Sequence, residues 1–159
     1  MMTELLLVDD EAGIRTVLGI ALEEMGYTVQ TAPDGKAALA KMRGHAAQIV
    51  LTDIKMPGMD GIALLKRIKK DWPDTEVIML TGHGDIELAI RSLKYEATDF
   101  ITKPIHDEAL EVALKRARER IEMRAQLRAH TENLERLVAE KSQQLVEAER
   151  FAAIGETVA

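Results

Sequence analysis

Short apolar runs recur along the first 105 residues of the chain, and stretches with helical periodicity separate them. Strands that are apolar on both faces are buried on both faces, which is typical of a parallel sheet covered by helices. The sequence therefore predicts five strands that alternate with helices. The five runs are Leu5 to Val8, the weaker Thr28 to Ala32, Ile49 to Leu51, Val77 to Leu80, and Phe100 with Ile101.

The stretches between the runs have the period of amphipathic helices. Gly26 is placed to end the first of them, and Trp72 with Pro73 ends the one after the third run. Such alternation predicts an open doubly wound α/β sheet, in a strand order such as 2-1-3-4-5, with ligands bound beyond the carboxyl ends of the strands. The predicted buried face of the first helix consists of Ile14, Val17, Leu18, Ala21, Leu22 and Met25.

Composition excludes several classes of protein. The chain has no cysteine, so disulfides, thiolate metal sites and cysteine nucleophiles are excluded. Its longest apolar runs are far shorter than the ~20 residues of a membrane-spanning helix, and its start is not a secretory signal. A cytoplasmic location without membrane contact is therefore expected. The net charge of −6 argues against binding of nucleic acid by this chain.

Polar and charged residues follow four of the five predicted strands. They are Asp9 and Asp10 after the first, Asp53 after the third, Thr81 after the fourth and Lys103 after the fifth. In the predicted strand order these ends meet in one crevice. A single aspartate in such a place is often only a helix cap. Together the carboxylates need a compensating cation, and oxygen ligands favour Mg²⁺.

These segments resemble the receiver domain of two-component response regulators. LLLVDDE resembles its opening strand and acidic pair, LTDIKMPGMDG its phosphoacceptor strand and loop, MLTGHGD its switch strand, and DFITKP its last strand with a lysine and a proline. The resemblance covers residues 3 to about 120 and implies a flavodoxin-like fold.

The resemblance also implies roles. Asp53 would accept a phosphoryl group from the phosphohistidine of a histidine kinase or a histidine phosphotransfer protein. Asp10, Asp53 and the backbone carbonyl of Lys55 would bind Mg²⁺, with Asp9 reaching the ion through water. The ammonium of Lys103 would pair with a phosphoryl oxygen.

The resemblance places a conformational switch beside this site. Thr81 would donate its hydroxyl to the phosphoryl group, and Phe100 would follow it inward as the switch aromatic, without the hydroxyl of a tyrosine. The peptide bond before Pro104 is cis in the family. Glu96 departs from the family, in which a small residue is usual at this position.

The chain from His106 to Ala159 has no proline and one glycine, Gly155, which predicts one long helix. We expect a receiver domain over residues 1–120 and a signalling helix over 121–159 that forms a marginal dimeric coiled coil, although a solvated single helix has the same pattern. Two heptad seams lie out of phase near Arg124. The first is Leu110, Leu114, Ala117 and Ile121; the second is Leu127, Thr131, Leu134, Val138, Lys141, Leu145, Ala148 and Ala152.

The tail LERLVAEKSQQLVEAERFAAIGETVA resembles the helix that enters the dimerisation domain of a sensor histidine kinase. We therefore expect a fragment of a hybrid histidine kinase that by itself catalyses only its own phosphorylation and dephosphorylation. Two alternatives stay open. One is a dimeric adaptor that acts through its coiled coil, and the other is the receiver of a regulator with an ATPase or DNA-binding output.

Overall fold

The structure is a computed structural model that describes residues 3–158, with side chains described for residues 3–152. Five strands alternate with five helices along the chain. The strands are β1 (Glu4–Val8), β2 (Thr28–Ala32), β3 (Ile49–Asp53), β4 (Glu76–Thr81) and β5 (Asp99–Thr102). The helices are α1 (Ala12–Glu24), α2 (Gly35–Gly44), α3 (Gly61–Asp71), α4 (Ile86–Lys94) and α5 (Asp107–Val158).

The five strands form one parallel sheet in the order β2-β1-β3-β4-β5. This confirms the predicted fold class and strand order. The register places Val8 opposite Thr52 and Asp53 opposite Leu80, and Thr81 opposite Thr102. The residues that follow β1 and β4 therefore lie on either side of the end of β3, as the parallel arrangement requires.

Burial explains why the central strands are apolar on both faces. Every residue of β3 and of β4 is buried, whereas β2 lies at the sheet edge and alternates between exposed and half-buried residues before it ends on the buried Ala32. Helices α2, α3 and α4 pack with one face of the sheet in one hydrophobic cluster, and α1 and the start of α5 pack with the other face. This double layer is what a parallel sheet needs to keep both faces from water.

Helix α1 differs from the prediction at one position. Leu18 and Leu22 are buried against the sheet, but the side chain of Val17 is 72% exposed. Successive residues of a helix point about 100° apart. The predicted apolar face was therefore too wide to fit entirely against the sheet, and Val17 lies on its outer margin.

Helix α5 is continuous, as predicted, and it contributes to two compact units of the chain, Met1–Ile121 and Glu122–Ala159. In the first unit, Leu110, Leu114 and Ala117 are buried in the hydrophobic core, and Ile121 packs against the same cluster. The first of the two predicted seams is therefore covered within this unit, against the sheet. The predicted domain boundary near residue 120 stays a prediction.

In the second unit the side chains of the other seam are exposed. Leu127 is 65% exposed, Leu134 47%, Val138 64% and Leu145 66%. The RFAAIGE motif of the kinase resemblance extends beyond residue 152 and lies partly outside the described side chains. No helix in the described part of the chain is long and apolar enough to cross a membrane.

Candidate functional site

Asp53 ends the central strand β3 and lies at the carboxyl edge of the sheet, where it is buried. The loop after it returns closely to the strand. The N–H of Gly61 donates to the Ile54 carbonyl at 2.7 Å, and a Cβ at position 61 would lie 2.2 Å from the carbonyl oxygen of Asp53. Only glycine fits at this position, so Gly61 allows α3 to begin directly beside the carboxylate.

Three carboxylates meet at this edge. Atoms of Asp9, Asp10 and Asp53 that could hold a metal ion all lie within 4.8 Å of one another. Asp9 is fully buried, and its Oδ1 accepts a hydrogen bond from the N–H of Glu11 at 2.9 Å. Asp10 is exposed. The arrangement is a pocket of negative charge that opens to solvent on the side of Asp10.

Lys103 supplies a cation inside this cluster. Its Nζ lies 3.1 Å from Oδ2 of Asp53 and 3.3 Å from Oδ2 of Asp9, and its side chain is 22% exposed. Burial lowers the pKa of this ammonium, but the hydrogen bond and charge of Asp53, with the charge of Asp9, outweigh it, so the pKa of Lys103 lies above its ordinary value. Lys103 is therefore charged at neutral pH.

One ammonium does not balance the cluster. Burial raises the pKa of Asp53, and the Asp9 and Asp10 charges add to that rise, while Lys103 opposes it. The net result is a pKa above the ordinary value, which means that the folded site disfavours the charge it holds. Three carboxylates within one ligand sphere, all offering oxygen, fit a hard divalent cation such as Mg²⁺.

The two predicted switch residues lie on the neighbouring strands β4 and β5. Thr81 is fully buried at the end of β4, and its Oγ1 donates to the Ile101 carbonyl at 3.4 Å. Phe100 is half-buried on β5 and packs against the hydrophobic cluster that α2, α3 and α4 form with one face of the sheet. The Lys103-Pro104 peptide bond is cis.

Lys55 makes a contact that the sequence analysis missed. Its Nζ lies 2.8 Å from Oδ1 of Asp85, in the loop between β4 and α4. The ammonium of Lys55 beside it holds the pKa of Asp85 below its usual range. No sequence signal identifies this pair, because the two residues lie on different loops that meet only in the folded chain.

Residues 5–115 match the model of the response regulator receiver domain family. The chain belongs to this family, which confirms the resemblance drawn from its strand-end motifs. Receiver domains take a phosphoryl group from histidine kinases and bind Mg²⁺ through acidic residues, and the cluster of Asp9, Asp10 and Asp53 lies where such residues are expected.

Curated relatives share the receiver part of the chain. The nitrogen assimilation regulatory protein NtrX of Azorhizobium caulinodans is 38% identical over 80% of this chain and 29% of its own length. The transcriptional regulatory protein FixJ of Bradyrhizobium diazoefficiens is 35% identical over 85% of this chain and 66% of its own length. The DNA-binding transcriptional regulator NtrC of Salmonella typhimurium is 42% identical over 65% of this chain and 22% of its own length.

Solved structures have the same fold. A response regulator receiver domain protein from Clostridium thermocellum has a TM-score of 0.72 at 33% identity, covering 79% of this chain and 99% of its own. NtrX from Brucella abortus has a TM-score of 0.76 at 37% identity, covering 80% of this chain and 29% of its own. The chain thus spans from about a fifth to two thirds of the length of the curated relatives described above.

Proposed function

We propose that this receiver accepts a phosphoryl group on Asp53 from the phosphohistidine of a histidine kinase or a histidine phosphotransfer protein. The observation that carries the proposal is the position of Asp53. Its carboxylate lies in a negatively charged pocket that opens to solvent, 3.1 Å from the Lys103 ammonium.

Asp53 and the residues around it have different roles in this reaction. A carboxylate oxygen of Asp53 attacks phosphorus, an O–P bond forms, and the P–N bond to the donor imidazole breaks. Lys103, already charged beside Asp53, pairs with a phosphoryl oxygen. Asp9, Asp10, Asp53 and the backbone carbonyl of Lys55 would hold Mg²⁺. Bound Mg²⁺ supplies positive charge that offsets the charge on the phosphoryl oxygens.

Phosphorylation then changes the contacts of Thr81. Its hydroxyl leaves the Ile101 carbonyl and donates to the phosphoryl group, which draws the end of β4 inward. Phe100 follows into the space beside it. Because Phe100 has no hydroxyl, packing alone holds it in either position.

The parent protein is a regulator whose output is an ATPase or a DNA-binding domain. The relatives described above carry the names of regulators, one of them a DNA-binding one, and this favours the regulator over the hybrid histidine kinase expected from the tail. The expectation that this chain binds no nucleic acid does not extend to the parent protein, for which DNA binding is part of the proposal. The adaptor and the kinase stay predictions, and sequencing the gene beyond codon 159 distinguishes the three.

The second unit of the chain pairs with a second copy as a coiled coil. The support is the stripe of exposed apolar side chains at heptad spacing, which includes Leu134, Val138 and Leu145. Lys141 lies in the same stripe and weakens the pairing. In light scattering, Leu145→Lys should shift a dimer to monomer, and Gln143→Lys on the opposite face should leave the mass unchanged.

The phosphorylation proposal is tested by intact mass after incubation with acetyl phosphate and Mg²⁺. The wild-type chain should gain one phosphoryl group that hydroxylamine removes, and Asp53→Asn should gain none. Asp71→Asn, an exposed aspartate on α3, is the matched control and should behave as wild type. A stoichiometric acyl phosphate on the Asp53→Asn chain would refute the assignment.

A further inference from the structure

Three helices of the receiver begin directly after an aspartate, but one of these aspartates does not cap its helix. Asp34 accepts a hydrogen bond from the N–H of Ala37 at 2.7 Å, and Asp60 accepts one from Ala63 at 2.8 Å. Asp85, before α4, makes no side-chain cap bond. An aspartate in this position ordinarily stabilises a helix by such a bond. The carboxylate of Asp85 therefore serves another contact.

That contact is the ion pair with Lys55, at 2.8 Å. The side chain of Asp85 is 7% exposed and that of Lys55 is 70% exposed, so the carboxylate is the fixed, buried partner. Gly82 lies against it. The Asp85 N–H donates to the Gly82 carbonyl at 3.3 Å, and a Cβ at position 82 would lie 3.3 Å from Oδ2 of Asp85.

The pair joins the two loops that the proposed chemistry uses. Lys55 lies two residues after Asp53, and Gly82 directly follows Thr81. While Asp85 holds Lys55, the loop after Thr81 is tied to the loop after Asp53, and the Thr81 hydroxyl faces the carbonyl of Ile101. Any inward movement of Thr81 carries Gly82 with it and disturbs this pair.

We propose that Asp85 is a positioning residue that acts as a latch. Its ion pair with Lys55 holds the loop after Thr81 in the position described here, and activation makes Asp85 exchange Lys55 for the backbone N–H groups at the start of α4. The two states thus differ in the partner of one carboxylate. This inference rests on the proposed phosphorylation of Asp53 and adds a regulatory role for Asp85 and for the side chain of Lys55.

A latch of this kind sets how readily the active form is reached. An activating ligand binds the active state, so its apparent affinity depends on the fraction of molecules already in that state. Weakening the contact that holds the inactive state raises this fraction and therefore raises the apparent affinity. Asparagine caps helices as well as aspartate does but has no charge to hold Lys55. Asp85→Asn should therefore bind beryllofluoride, a phosphoryl mimic, about three- to tenfold more tightly than wild type.

The experiment titrates the full chain with beryllofluoride in the presence of Mg²⁺ and follows the amide resonances of Gly82 and α4 by NMR. It compares wild type with Asp85→Asn, Lys55→Met and the double variant. If the two residues act through one contact, the double variant should bind no more tightly than Asp85→Asn alone. Asp34→Asn changes a matched cap residue on α2 and should leave the affinity as in wild type.

The outcomes separate the two proposals. A wild-type chain that binds no beryllofluoride and takes up no phosphoryl group overturns the proposed function. A wild-type chain that binds it, with Asp85→Asn equal to or weaker than wild type, overturns the latch alone. Additive effects of the two substitutions overturn it as well. Slower amide exchange at the start of α4 in the beryllofluoride complex is the further result expected from capping by Asp85.

Discussion

The two ends of the sheet each hold a buried carboxylate, and the chain surrounds the two groups differently. At the carboxyl edge, Asp53 shares its pocket with two further acids and a single ammonium, and burial leaves its pKa raised. At the amino edge, Glu76 is the first residue of β4 and is fully buried. Burial alone would raise its pKa, but the hydrogen bond of Thr98 and the charges of Arg120 and Lys69 outweigh this, so the pKa is lowered.

Under the proposed function, the difference separates a site that holds charge for chemistry from one that holds it for structure. Arg120 on α5 lies 2.9 Å from Glu76, and Arg116 one turn earlier lies 3.0 Å from Asp99, the first residue of β5. These pairs attach α5 to β4, whose other end carries Thr81, and to β5, which carries Phe100 next to Asp99. Compensated charge stabilises the fold, and the uncompensated charge around Asp53 is available to a cation or a phosphoryl group.

The largest change in stability is expected when the compensated carboxylate at the amino edge of the sheet loses its charge. Glu76→Gln removes the charge that Arg120 pairs with and one acceptor of a buried network, so it should lower the free energy of unfolding by about 2–3 kcal/mol in urea denaturation. Asp71→Asn removes an exposed pair with Arg67, at 2.8 Å, and should cost no more than about 0.5 kcal/mol. Equal costs for the two substitutions would show that the amino edge carries no special stabilisation.

A second test adds Mg²⁺, which we expect to bind to the carboxylates at the carboxyl edge of the sheet. Mg²⁺ at ten times its dissociation constant should stabilise the folded chain by about 1.4 kcal/mol, measured as a rise in melting temperature. Asp10→Asn removes a carboxylate of the cluster and should reduce this gain, and Asp107→Asn, at the start of α5, should not. A Mg²⁺ effect that is the same in wild type and Asp10→Asn would place the ion elsewhere.

A third test removes the uncompensated charge itself. Without Mg²⁺, Asp53→Asn removes a charge that burial disfavours and that Asp9 and Asp10 repel, and it should stabilise the chain by about 1 kcal/mol at neutral pH, although it loses an ion pair with Lys103. Mg²⁺ should then stabilise this variant less than wild type. Destabilisation by Asp53→Asn would mean that Lys103 already balances the cluster.

The strands and the carboxyl edge of the sheet could be predicted from the sequence, because local patterns specify them. The apolar runs located each strand within one or two residues, and the parallel topology brought Asp9, Asp53 and Lys103 together. Glu76 and Asp85 were not predicted. Each is a single acid whose role depends on a partner on another element, Arg120 on α5 and Lys55 on a loop, and no spacing along the chain specifies such pairs.

The long helix shows the same limit in its apolar pattern. Heptad spacing continues from Leu110 to Ala117, but these residues are buried in the receiver's own core. Spacing identifies a helix face that is to be covered; it does not say whether the receiver or a second copy covers it. For the seam that begins at Leu127, which is exposed in the single chain, the light-scattering experiment decides.

The smallest expected effect is the pH dependence of the two carboxylates, which should have opposite signs. The pKa of Glu76 is lowered from 4.5, so its contribution to stability is complete above that pH and is lost as the pH falls through the lower folded value. The pKa of Asp53 is raised from 3.8, so the folded chain binds the proton at a higher pH than the unfolded chain does. The cost of the Asp53 charge therefore disappears as the pH falls towards 3.8.

In urea denaturation between neutral pH and about pH 4, the stability advantage of Asp53→Asn over wild type should therefore shrink as the pH falls. The penalty of Glu76→Gln should stay constant down to pH 4.5 and shrink only below it. An advantage of Asp53→Asn that grows in acid would mean that Asp53 is the better compensated of the two carboxylates.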